Sequence, residues 1–267
     1  MREGLDEREA DQKRRRGGGD RPRASRDRGA DEEADREREL VGGLVRRRVE
    51  GLLLMPATHR QDYLADELRN GLPVVFVDRQ PNGVDADSVT TDNAMGARLA
   101  VEHLVAHGHR RIAMLGDLPT IQTAFARSEG FLAAVADAGL RQDACPMETS
   151  LRSPEDAIAA VGRLLDSAEA PTAIFAARNS LAMGAVRALH QRGLAGQVAL
   201  IGFDDFPLAD IVDPPLTVIR QNVSAIGKAV AQRLFARIDG DDSLPQHIVL
   251  TPELVPRGSG EIRPGQT

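Results

Sequence analysis

The chain has 267 residues, 42% of them hydrophobic, and a formal net charge of −6. That is enough for one large or two modest domains, and it lacks the basic excess of a chain devoted to nucleic acid. A single cysteine, Cys145, excludes an intrachain disulfide framework and a four-cysteine zinc site. With 3% aromatic residues and no tryptophan, the core has to come from Ala, Val, Leu and Ile, which suits parallel sheets covered by helices.

Residues 1–39 carry 12 Lys/Arg and 13 Asp/Glu. Such a mixed-charge stretch buries too little apolar surface to offset its ordering entropy, which predicts a disordered or aberrant charged tail. The run Arg14-Arg15-Arg16 is flanked by acids and reads as solvated. From Leu40 the pattern becomes regular. Leu40, Leu44, Val45 and Val49 form a helical stripe, and Leu52-Leu53-Leu54-Met55 before Pro56 reads as a strand. Tyr63, Leu64 and Leu68 have helical spacing, closed by Asn70-Gly71. Pro73 to Val77 is the next strand.

The alternation continues with a helix from Asp92 to His107, a strand from Ile112 to Leu115 and a helix from Thr123 to Ala138. Ser153-Pro154 is a cap followed by a first-turn proline, opening a helix to Leu165. Thr172 to Ala176 is a strand, 180–192 a helix, Val198 to Phe203 a strand, Val223 to Ile238 a long helix and Ile248 to Leu250 a short strand. Strand–helix alternation predicts an α/β fold with parallel, doubly wound sheets. Ligands in such folds lie at the carboxyl ends of the strands. Those exits carry Asp78-Arg79, Asp117, Arg178-Asn179 and Asp204-Asp205.

Several chemistries find no support. There is no GxSxG elbow, no GxGxxG and no P-loop, so no catalytic residue and no cofactor is expected. His103 and His107 stand at i, i+4, but no third ligand is visible, so no metal is expected either. With Arg110-Arg111 they suit a helix C-terminus. No apolar run approaches the roughly 18–20 residues of a membrane span, and no apolar signal core opens the chain. A cytoplasmic protein without membrane contact is expected.

Stretches in order over 40–262 resemble the effector-binding core of LacI/GalR-type transcriptional regulators, a two-lobed periplasmic-binding-protein-like fold. They are Arg47 to Leu53, Pro73 to Arg79, Thr91-Asp92-Asn93, His103 to Ile112, Arg127 to Phe131 (the RxxGF pattern) and Ala182 to Ala185. Ile201 to Asp205, Leu216 to Gln221 and Leu254 to Ser259 follow. The resemblance implies a partial N-terminal lobe from 40–91 and 222–244, and a C-terminal lobe from 92–221 and 245–262. Three crossover strands would join them around a small polar, sugar-like effector, and the protein would be a homodimer. Helix 37–49 resembles the family's second core helix. The first lobe would then lack two strands and expose an aliphatic edge at 51–55. Residues 1–39 have no apolar periodicity for the family's helix-turn-helix head. Operator DNA would be bound only through a head outside this chain.

By resemblance, Arg127 is the motif arginine facing the cleft, Asp204 and Asp78 accept from ligand groups, Gln221 lies on a crossover, and Thr123 sits one turn before Arg127. Arg178 stands where many members have a different residue, and a second cleft arginine would suit an anionic ligand. The same fold serves periplasmic-type sugar-binding proteins, but these need an export signal. An enzyme using Asp204 and Asp205 is a poor fit, because adjacent strand-exit residues point apart.

Overall fold

The computed structural model describes residues 24–265, with side chains from residue 35 onward. The chain falls into two compact units, 1–47 and 48–267. In the first, helix α1 runs from Ala24 to Arg46. Disorder was expected over 24–39, and the structure has helix there instead. The physical reason is composition: Ala, Arg and Glu are strong helix formers even where the helix has no apolar face. Opposite charges one turn apart, such as Arg38 and Asp35 at 3.6 Å, add a little. The remainder of that expectation, 1–23, lies outside the described residues.

The second unit holds two sheets. The first has the order β1 (Leu52–Leu54), β2 (Val74–Val77), β3 (Asp87–Thr91), β9 (His247–Leu250), all parallel. A short helix α2 (Ala65–Arg69) joins β1 to β2, and α7 (Val223–Ile238) covers one face. β1 is an edge strand. Leu53 and Met55 are exposed there, as the expected aliphatic edge requires.

The second sheet has the order β10 (Glu253–Val255), β8 (Thr217–Arg220), β7 (Ala199–Phe203), β6 (Ala173–Ala176), β4 (Ile112–Leu115), β5 (Met147–Glu148). All pairs are parallel except the antiparallel β10–β8. Helices α3 (Asn93–Ala106) and α4 (Gln122–Asp137) pack on one face, and α5 (Pro154–Leu165) and α6 (Asn179–Gln191) on the other. Right-handed crossovers produce this arrangement. Each face has its own apolar cluster, one around Phe131, Phe175 and Phe203, the other around Ile174, Leu181 and Leu216.

Local chemistry sets the helix ends. Asp92 accepts from Met95 N, Asn222 from Ala225 N, and Ser153 with Asp156 forms a full capping box. Helices α3 and α4 approach so closely that a Cβ on Gly130 would lie 2.3 Å from Ala94 O.

Two assignments made from sequence change. Strand β3 has no aliphatic run and was not expected, yet all five of its residues are buried. Residues 245–262 were placed wholly in the second lobe, but β9 pairs with β3 in the first sheet. The chain crosses between sheets after Leu250, because Ile248 and Leu250 pack against the α7-face cluster. Beyond the crossing, Ser259 Oγ donates to Leu200 O and accepts from Thr217 N, fixing that segment to the second sheet. The sheets are thus joined at 91–92, 221–222 and 251–252.

Candidate functional site

Strands β2 and β7 end alike. Asp78 and Asp204 directly follow them, and each has φ of 69°. Asp78 N donates to Val89 O and Asp204 N to Ile219 O, in each case the neighbouring parallel strand. A left-handed turn on a residue with a Cβ is strained, though aspartate tolerates it better than most. The same strained exit, once in each lobe, aims a carboxylate out of each sheet. Strain of this kind concentrates at working sites.

Arg127 on α4, 6% exposed, lies near enough to both for their charges to act on it. Its guanidinium is held by three contacts. Nε donates to Asn93 Oδ1 at 2.7 Å, Nη1 donates to Ala177 O at 2.7 Å, and the plane lies over the Phe203 ring at 3.6 Å. Neither hydrogen bond uses Nη2. Burial pushes the Arg127 guanidinium below its usual range, while Asp204 and Asp78 act in the opposite direction. Asp78 is raised above the ordinary carboxylate range. Burial is the main cause, reinforced by Asp204 and opposed by Arg127 and Arg79.

The other sequence candidates fall in different places. Gln221 donates from Nε2 to Asp204 Oδ1 at 2.6 Å and accepts from Thr91 Oγ1 at 2.5 Å. Thr123 is buried on α4, one turn before Arg127. Arg178 precedes α6 and donates from Nη1 to Asp117 Oδ2 at 2.5 Å. Its charge is therefore already answered at the rim. Asp205 turns away from Asp204 to a paired bond with Arg257, at 2.8 and 2.5 Å. The two aspartates do not converge on one reacting atom. His103 Nε2 lies 2.7 Å from Glu261 Oε1 in the segment after β10, and His107 Nδ1 lies 2.8 Å from His103 O.

Three residues of the site were not singled out as candidates from sequence. Asn93 orients Arg127, Thr91 engages Gln221, and Gln122 accepts at Oε1 from Gln80 N at 2.7 Å, tying the loop after β2 to the start of α4. The sequence did place Thr91 and Asn93 in a short stretch opening a helix. Nothing in that stretch distinguishes a cap from a link between ligand groups.

The chain matches the model of the periplasmic binding protein-like domain over residues 101–260. It is 34% identical over 224 residues to the HTH-type transcriptional repressor PurR of Pasteurella multocida, covering 82% of this chain and 67% of that protein. It spans about two thirds of the length of the curated relatives it matches. A LacI family transcriptional regulator from Enterococcus faecium, solved with bound ribose, aligns with a TM-score of 0.77 at 27% identity, covering 85% of each chain. The transcriptional regulator CelR in complex with cellobiose aligns at 0.72 and 32% identity, covering 84% of this chain and 70% of that one.

Proposed function

This chain belongs to the LacI family of transcriptional regulators and carries that family's effector-binding core, and from this we propose that its own effector is a neutral, sugar-like molecule held between the two lobes. The observation that carries the reading is the convergence of Asp78, Asp204 and Arg127 at the exits of strands in both sheets. Two carboxylates accept from hydroxyls and one guanidinium donates to them, which is the complement of a polyol. Arg178 is neutralised by Asp117 and Arg127 faces two carboxylates. The cleft therefore offers an anion no surplus positive charge, and the anionic ligand suggested by a second arginine is not favoured.

Calorimetric titration with ribose and cellobiose, set against ribose 5-phosphate and gluconate, tests this. A neutral sugar is expected to bind, with no product formed. Arg127→Ala and Asp204→Ala should each weaken it roughly 10- to 100-fold, the range for hydrogen bonds to charged groups. Preference for an anion, or turnover of the sugar, would overturn the reading.

The rest of the reading concerns partners. The effector would act on operator DNA through a helix-turn-helix head of the kind for which the relatives are named, in a cytoplasmic homodimer. Among the described residues no helix is long and apolar enough to cross a membrane. Leu208 and Ile211 are the most exposed large apolar side chains around the second sheet, at 62% and 70%, and they share one loop. Such a patch suits a subunit contact. Light scattering should give a dimer for the full chain and a monomer after Leu208→Asp with Ile211→Asp. An unchanged mass would remove that loop from the interface.

A further inference from the structure

Arg127 and Asp204, the two groups assigned to the ligand, are each tied by a pair of hydrogen bonds to the same residue, Thr91. Arg127 Nε donates to Asn93 Oδ1 at 2.7 Å, and Asn93 Nδ2 donates to Thr91 O at 3.0 Å. Thr91 Oγ1 donates to Gln221 Oε1 at 2.5 Å, and Gln221 Nε2 donates to Asp204 Oδ1 at 2.6 Å. The direction of every bond is dictated by the ends. Arginine can only donate, so Asn93 must turn its oxygen to it and its NH2 to Thr91. An ionised carboxylate can only accept, so Gln221 must turn its NH2 to Asp204 and its oxygen to Thr91. The hydroxyl of Thr91 is then the donor. All four bonds point from the cation towards the anion, as two pairs that meet on Thr91, one ending on its carbonyl oxygen and the other starting from its hydroxyl.

These bonds also pass through the hinge. Thr91 ends β3 at the first crossover and Gln221 follows β8 at the second. The third crossover joins the same place through Asp92 N, which donates to Leu250 O at 2.9 Å. Thr91 is 5% exposed.

We propose that Thr91 is a positioning residue that couples the hinge to the ligand. Its hydroxyl orients Gln221, and Gln221 presents the second oxygen of Asp204 to the effector. Gln221 then acts through Asp204 rather than as a ligand contact in its own right. The proposal rests on the cleft reading above, so its test includes one measurement that needs no ligand.

Thr91→Val keeps the branched shape and removes the hydroxyl, while Thr91→Ser keeps the hydroxyl. With whichever of ribose or cellobiose binds the wild-type chain, Thr91→Val should weaken binding roughly tenfold, the loss of a hydrogen bond leading to a charged group. Thr91→Ser should restore binding to within about twofold. Gln221→Leu and the double variant should show the same loss rather than a product of losses, because both cut the same pair of bonds. Wild-type affinity in Thr91→Val, failure of Thr91→Ser to restore binding, or multiplicative losses would overturn the proposal.

Hydrogen exchange on the sugar-free chain reads the same link. Thr91→Val should speed exchange at Asp204 and Gln221, far away in sequence, and Gln221→Leu should speed it at 91–93. Unchanged exchange in both variants would overturn the proposal, and the reciprocal measurement stands even where Thr91→Val folds poorly. Absence of any sugar binding by the wild-type chain would instead count against the cleft reading, and exchange alone would then decide the link.

Discussion

The two lobes solve the same problem in different proportions of apolar and ionic burial. Around the six-stranded sheet, helices on both faces bury extensive aliphatic and aromatic clusters. Around the four-stranded sheet, the buried cluster on the α7 face is Val75, Val89 and Val230. Beside it lies Asp87, with a side chain 1% exposed, ringed by Arg233 at 3.1 Å, Arg237 at 2.7 Å and Gln246 N at 2.7 Å. An apolar core spreads its contribution over many contacts, each of which can relax. A buried ion cluster concentrates it in a few groups that cannot lose a partner without leaving a charge uncompensated. The lobe on four strands should therefore be the more brittle one.

The largest test of that contrast is Asp87→Ala. It leaves Arg237, 16% exposed, without its carboxylate and Arg233, 11% exposed, with Asp241 alone at 3.0 Å. The expected cost is about 3–5 kcal/mol, read by chemical denaturation. Hydrogen exchange should rise in β2 and β3 while β6 and β7 stay protected. Equal loss in both lobes would end the distinction. The cluster should also respond to acid. Burial opposes ionisation of Asp87, but bonds from Arg237, Gln246 N and Arg233 outweigh it and hold the carboxyl below its ordinary value. Its contribution is complete above the ordinary carboxylate pKa of about 4 and is lost as pH falls through the lowered folded value.

One substitution made in both lobes should change sign. In the second lobe, Gly130→Ala drives a methyl group against the Ala94 backbone, 2.3 Å from its carbonyl oxygen. Main chain cannot rotate aside, so α3 and α4 must separate at a cost of about 1–3 kcal/mol. Arg127 lies one turn away on the same helix, so sugar affinity should fall as well. In the first lobe, Gly227 sits in α7, and beyond the helix's own backbone nothing lies within 4 Å of an added Cβ. Gly227→Ala should stabilise by about 0.5–1 kcal/mol through helix propensity alone. Thermal unfolding of the two variants checks both signs, and a loss at 227 would mean that something covers that face.

The same contrast explains what could be read from sequence. The second lobe was legible because its strands are aliphatic and its helices carry caps, as at Ser153-Pro154. Strand β3 was not, because Asp-Ser-Val-Thr-Thr is buried by pairing with Arg233, Arg237 and Gln221 rather than by hydropathy. Those partners lie more than a hundred residues away. Asp78, Asp204 and Arg127 could be named from strand exits and the RxxGF pattern. Thr91 and Asn93 could not be assigned a role, since their importance lies in bond direction between elements that only the fold brings together.

The smallest expected effect bears on the cleft, where the lobes meet. Asp78 is the first lobe's carboxylate there, raised above its ordinary value by burial and by Asp204. A raised folded value means the folded chain holds its proton more tightly than the unfolded chain does. Stability from this group is complete below the ordinary value of about 4 and is lost as pH rises through the raised one. Above the raised value the charge is therefore a burden on the ligand-free chain. Asp78→Asn removes the charge and keeps a residue that tolerates φ of 69°. The variant should gain about 0.5 kcal/mol at pH 7, as expected where a binding group is kept at the expense of stability, and nothing at pH 3. It should at the same time bind sugar more weakly. A gain that persists at pH 3 would place its origin in the backbone turn. A loss at pH 7 would mean that Arg127 and Arg79 outweigh burial, so that the first lobe's carboxylate supports the fold as Asp87 does.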